Sequence, residues 1–245
     1  MRLALVEGLS FARRLARRRV VVITLALDAV AVAWILATAP GESPHAALGA
    51  AQALGALTTL VLASGCIADD RAAGRLLLAA THPSPRSAIV LGRWLAVAAP
   101  SAAVTLVAAT LIALAGPGLG RVSGFVLGAA AGCLHVAAFG ALAVSLSTGA
   151  GATAQVLTLL GLLLIGLVPP DVLASLLAAP WLEPVTRAAW TGLPTPWALD
   201  RIQAWVTGVE GPHPALALAL VAQPPVVLAA GARALARAEL GARSL

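Results

Sequence analysis

The stretch Asp69–Trp94, DDRAAGRLLLAATHPSPRSAIVLGRW, decides how this chain is read. Its two aspartates and four arginines stand in a sequence that is otherwise largely apolar, so this is where the chain must meet water in a specified way. Asp69 and Asp70 suit the first turn of a helix, whose free backbone N–H groups attract carboxylates, and Arg71 and Arg75 fall four residues apart on one face. Leu76, Leu77 and Leu78 add apolar surface before His82-Pro83-Ser84-Pro85 ends the element. Ser84 ahead of Pro85 reads as an N-cap with proline at the first helical position, so a second helix is predicted from there through Trp94 and onward.

The composition says what surrounds this stretch. With 60% hydrophobic residues, 11% charged residues and a mean hydropathy of +0.95, the 245 residues cannot be an ordinary soluble globule. The apolar runs reach the roughly 20 residues that cross a bilayer as a helix. Strand alternation is absent, which favours an all-α bundle over a barrel. The net charge of +6 comes from sixteen basic residues, all of them Arg and placed at helix ends, which is a membrane pattern and not a nucleic-acid groove. Without any Lys the chain cannot form a Walker A phosphate loop, so it carries no ATPase of that type. Cys66 and Cys133 lie in apolar runs and read as small packing residues; two cysteines without paired histidines make no zinc site.

Residues 1–245 then read as one domain with six spans, at about 20–39, 46–67, 87–115, 122–145, 152–168 and 214–232. Ahead of them, residues 1–19 form an amphipathic helix with Leu5, Leu9, Ala12 and Ala16 on one side and a collar of arginines, suited to an anionic membrane surface; a basic flank to the first span is the alternative. Ala37-Thr38-Ala39 imitates a signal-peptidase site, but the apolar run is too long for a signal peptide and Asp28 interrupts it. Asp28 and His135 are the candidate intramembrane polar site, because an ionisable group inside a span is costly and must face a partner or a cavity. A hydrogen-bonded structural role is the preferred reading for both. Gly124, Gly128 and Gly132, four residues apart, permit close helix contact. Between the last two spans, residues 169–214 hold Trp181, Trp190, Trp197 and Trp205, marking short helices in the outer leaflet or an ordered outer loop. Thr195-Pro196 starts one of these, with Ala198, Ile202, Trp205 and Val209 as its stripe and Gly208 as its stop.

Asp70-Arg71, Gly74, Leu76, Pro83, Arg86 and Leu91-Gly92-Arg93 together resemble the cytoplasmic loop of ABC-2 type permeases, the membrane subunits of one class of ATP-binding cassette exporter. That family carries an acidic-Arg pair, Gly-Thr-Leu-Glu, a Leu run, Pro, Arg and Leu-Gly-Lys at this spacing; here Arg75 replaces the hydroxyl residue and Leu77 the carboxylate. The resemblance implies a transport subunit and not an enzyme, with no cofactor of its own and ATP bound on a partner. It also implies pairing with a second permease copy or paralogue in the lipid bilayer of a plasma or inner membrane. Asp69, Asp70, Arg71, Gly74, Arg75, Leu76, Pro83 and Arg86 would then form the coupling element that receives force from the ATPase subunit. The cargo would be amphipathic or lipid-linked. The rival readings are an intramembrane enzyme using Asp69 and Asp70 to hold Mg²⁺ against a lipid diphosphate, a haem-exporter-type subunit, or a structural membrane partner.

Orientation follows from the arginines alone. With both termini cytoplasmic, thirteen fall on the inner side and only Arg121, Arg187 and Arg201 on the outer. Single cysteines introduced into a Cys-free background should therefore react with an impermeant maleimide at position 200 in intact cells, and at positions 72 and 240 only after permeabilisation. Labelling of position 240 from outside would reject this topology.

Overall fold

A computed structural model describes residues 2–38, 43–73, 85–115 and 122–242, and every regular element among them is a helix. In chain order these are α1 (Arg2–Ala16), α2 (Arg19–Thr38), α3 (Pro44–Ala63), α4 (Ala68–Ala72), α5 (Arg86–Ala115), α6 (Val122–Leu146), α7 (Ala152–Ile165), α8 (Pro170–Leu176), α9 (Leu182–Gly192), α10 (Pro196–Thr207) and α11 (Pro214–Ala242). Gly74, Arg75, Leu76, Pro83 and the Ser84 cap lie outside the described residues.

Among the described residues five segments are long and apolar enough to cross a membrane: Arg19–Thr38, His45–Asp70, Arg86–Ala115, Val122–Leu146 and Pro214–Arg237. The straight fifth span expected at 152–168 is not what forms. Instead α7 stops at Ile165 and the chain turns 95° into α8. Its 14 residues rise about 21 Å, short of the roughly 30 Å of a hydrocarbon core. Pro169 and Pro170 supply no N–H to continue the ladder, and the freed Gly166 carbonyl accepts from the Trp197 N–H at 2.9 Å. The second span also breaks earlier than its hydropathy suggests. α3 ends at Ala63, and a turn over Ser64–Ile67, with Gly65 at φ 64°, leads into α4. The last helix is longer than expected, continuing to Ala242.

The core follows the faces that face one another. Phe11, Leu15, Ile67, Ile89, Val97, Phe139, Leu159 and Leu235 share one buried cluster, drawing α1, α5, α6, α7 and the C-terminal part of α11 to the same end of the bundle. Leu48, Leu54, Ala109, Phe125 and Ala129 build a second cluster, and Leu199, Ile202, Leu216 and Leu220 a third beneath α10. α10 has the expected cap, Thr195 Oγ1 accepting from the Ala198 N–H, and the expected stop at Gly208, φ 82°. Its buried stripe is Ala198, Leu199 and Ile202, whereas Val209 is exposed. On α1 the packed face is Ala4, Gly8, Phe11 and Leu15, which leaves Leu5 and Leu9 on the surface. α2 stands apart, with Val21 and Asp28 its buried residues.

Two polar side chains fix the turn after α3. Gln155, fully buried on α7, accepts from the Gly65 N–H at 3.0 Å and donates to the carbonyls of Ala63 and Ala143, both at 2.8 Å. Ser147 Oγ accepts from the N–H groups of Ile67 at 2.9 Å and Ala68 at 3.0 Å, capping α4 from another element. An apolar interior offers no water to replace such bonds, so Gln155→Ala should lower stability by about 1–3 kcal/mol. Thr158→Ala, at an exposed site on the same helix, should change it by no more than about 0.5 kcal/mol. Thermal unfolding of the detergent-solubilised protein measures both, and equal effects would show that the turn does not depend on Gln155.

Candidate functional site

α4 is five residues long and would not persist alone. Charge sets its position. The Asp70 carboxylate, 4% exposed, accepts from both Nη groups of Arg14 on α1, at 3.0 and 3.3 Å, and from Nη2 of Arg93 on α5, at 2.5 Å. One side chain of α4 thereby joins the first helix to a membrane-length one. Arg18 adds a more exposed pair with Asp69 at 3.4 Å.

Arg93 is equally buried, and among the described residues its Nε and Nη1 make no hydrogen bond. Its compensation comes from the Asp70 charge and from the Phe11 ring, whose centroid lies 4.2 Å from the guanidinium carbon; the same ring is 5.6 Å from that of Arg14. Away from water the ion pair is strong, but only while both partners remain, because each alone would be an uncompensated buried charge. The helices reach this separation through two glycines. A methyl on Gly8 would stand 2.9 Å from the Gly92 carbonyl oxygen, and one on Gly92 would stand 2.6 Å from that of Ala4.

The predicted coupling residues thus divide. Asp69 and Asp70 occupy the first turn of α4 as expected, yet Asp70 turns inward to the arginines. Arg71 belongs to α4, the following Ala72 and Ala73 are exposed, and Arg86 is half-buried at the start of α5. Sequence reasoning missed Arg14 and Arg93 as partners of Asp70. The signal was present: Arg93 is the one charge between Arg86 and a long apolar run, and a charge so placed needs a counterion.

Asp28 and His135 do not share a site. Asp28 Oδ2 accepts from Thr58 Oγ1 at 2.7 Å, and the carboxylate also borders a groove of about 380 Å³ between α2 and α5. His135 Nδ1 is hydrogen-bonded to Gln52 Nε2, and its ring stacks on Phe139 with centroids 6.5 Å apart. Thr58 and Gln52 are six residues apart on α3, about 9 Å of helical rise, so these are two separate ties. Each side chain is hydrogen-bonded within the bundle. Beside the Gln52–His135 tie, Gln203 Nε2 of α10 donates to the Gly128 carbonyl at 3.3 Å, a close contact that the glycines of α6 permit.

The opposite end of the bundle carries its own ion pairs. His45 at the start of α3 contacts Asp200 of α10 at 3.0 Å, while Arg201 pairs with Glu210, which also contacts His213 at 3.3 Å. The Arg201 hydrogen bond holds the Glu210 carboxyl below its ordinary range, and the same bond raises Arg201. Among the described residues no three His, Cys, Asp or Glu side chains gather as a metal site. The chain matches no family model and no curated protein.

The clamp makes a clear thermodynamic prediction. Asp70→Asn strands Arg93 and should cost about 3–5 kcal/mol in thermal unfolding, with Arg93→Met in the Asp70→Asn background restoring most of that loss. A loss below about 0.5 kcal/mol in the single variant would mean that the pair is not what holds α4.

Proposed function

We propose that this chain is the membrane subunit of an ABC-2 type exporter, a six-span permease that moves an amphipathic or lipid-linked cargo with energy from a separate ATPase. The observation that carries this reading is the clamped α4. A membrane subunit without a nucleotide site needs a stiff, water-facing element to receive force, and Asp70, Arg14 and Arg93 hold such an element against α1 and the membrane-length α5. In this reading Asp70 anchors the element from within, and Arg71, the exposed Ala72 and Ala73 and the residues that follow present it to the ATPase.

The path of the chain supports an even number of crossings. α7 leaves the α4 end, where Gln155 bonds Gly65, and arrives beside α10, where Gly166 bonds Trp197. α7 and α8 together are then a broken fifth span. Leu235 near the C-terminus packs in the same cluster as Phe11 and Leu15 near the N-terminus, which supports both ends lying on one side of the membrane; the arginine asymmetry makes that side the cytoplasm of a plasma- or inner-membrane protein in this reading. The exposed apolar face of α2, including Leu27, Val30 and Trp34, is available to lipid or to a second permease copy. Asp69 and Asp70 are engaged by arginines, which favours this reading over a carboxylate pair that binds Mg²⁺.

A photo-crosslinking residue at position 72 or 73 in the native host tests the proposal. It should capture a Walker A-containing protein, identified by mass spectrometry, whereas the same residue at position 200 should not. Combining Arg71→Glu with Arg75→Glu should abolish most of the capture while leaving membrane insertion intact; a single exposed ion pair is worth only about 0.2–1 kcal/mol, so Arg71→Ala alone should reduce it modestly. Capture of lipid alone at positions 72 and 73 would contradict the reading.

A further inference from the structure

The end of the bundle opposite the clamp holds a pocket of about 360 Å³, rimmed by charged side chains, that the transport reading does not use. Arg187 and Thr191 of α9, Trp197 and Arg201 of α10, His213 ahead of α11 and Asp171 of α8 line it. Its size is at the low end of the roughly 300–1,000 Å³ of small-molecule sites. The surroundings are those of a membrane surface: Leu176, Leu177 and Trp181, at the tip that joins α8 to α9, are 73%, 60% and 69% exposed.

The lining is divided by charge. Arg187, Arg201 and His213 bring cationic or protonatable groups, whereas Asp171 is exposed and has no ion pair among the described residues. Arg187 is bound by Glu183 of its own helix at 2.6 Å, but its side chain is 59% exposed, so this pair is weak and a better anion can displace it. The Trp197 indole N–H makes no hydrogen bond among the described residues, but it is buried and not open to the pocket, so Trp197 contributes its ring and not a donor. Arg201 and His213 are both held by Glu210, which is itself partly exposed, so a ligand that bridges Arg187 and Arg201 and also answers Asp171 carries an anion with several acceptor oxygens beside a hydrogen-bonding cation. A purely anionic ligand would meet the Asp171 carboxylate. A quaternary ammonium would need an open aromatic face, and the Arg201 guanidinium lies over Trp197, 5.9 Å from the centroid.

We propose that this pocket binds the phosphoethanolamine headgroup of a membrane lipid, with the phosphate taking Arg187 and Arg201 in exchange for their carboxylate partners Glu183 and Glu210, and the primary ammonium toward Asp171. The inference does not depend on the permease reading, since it requires only that α8–α10 lie at a membrane surface. Native mass spectrometry of the purified full chain with phosphatidylethanolamine, phosphatidylcholine or phosphatidylglycerol of one acyl composition tests it. Phosphatidylethanolamine should be retained about tenfold more tightly than either of the others, the equivalent of about 1.4 kcal/mol. Asp171→Asn should remove the preference over phosphatidylcholine, and Arg187→Gln should weaken all three lipids. Both positions are exposed, so the variants should remain folded. Equal retention of the three lipids, or variants that behave as wild type, would overturn the assignment. Equally strong competition by soluble phosphoethanolamine would overturn the lipid as its source.

Discussion

The α4 end of this molecule is organised by one buried carboxylate held between two guanidinium groups, the buried one of Arg93 and the partly exposed one of Arg14. Asp70 makes a five-residue helix into a fixed part of the bundle, because Arg14 reaches it from α1 and Arg93 from α5. The attraction is large where the dielectric is low, and so is the cost of losing either partner. That asymmetry makes the joint rigid. Phe11 beneath both arginines, and Gly8 facing Gly92, are the packing conditions under which the charges can meet.

The same logic recurs along the bundle in neutral form. In an apolar interior each free backbone or side-chain polar group must find a partner inside the protein, so the breaks in the helices mark where polar side chains are stationed. Gln155 and Ser147 satisfy the turn after α3, and Thr58 answers Asp28 where α2 leans on α3. At a proline-containing stretch of α11, Ser145 donates to the Val227 carbonyl at 2.9 Å. Such ties give specificity to helices whose apolar surfaces, rich in Ala, Leu and Val, would otherwise pack in several registers.

The helical class and five of the long spans were legible in the sequence because they rest on quantities that hydropathy measures directly. The breaks were less legible. α7 ends at Ile165 although Gly166-Leu167-Val168 remains apolar, since the decisive factor is the proline pair that follows together with the Trp197 amide waiting for the Gly166 carbonyl. The packed face of α1 was not legible because Ala4 and Gly8 carry little hydrophobic weight, yet small residues are what let two helices approach. For the site, the sequence marks α4 as the place where charge gathers and predicts hydrogen-bonded roles for Asp28 and His135. It does not disclose that Asp70 points inward, because that depends on Arg14 and Arg93, 56 and 23 residues away.

The central claim is that α1 is an integral part of the bundle, locked by Asp70 and not merely laid on the membrane. Hydrogen–deuterium exchange of the chain in lipid nanodiscs tests it most directly. The account predicts that the amides of residues 8–15 exchange as slowly as those in the middle of α5, and that neutralising Asp70 accelerates α1 and α4 while leaving α6 unchanged. Rapid exchange of α1 in the wild-type protein, indifferent to Asp70, would contradict it.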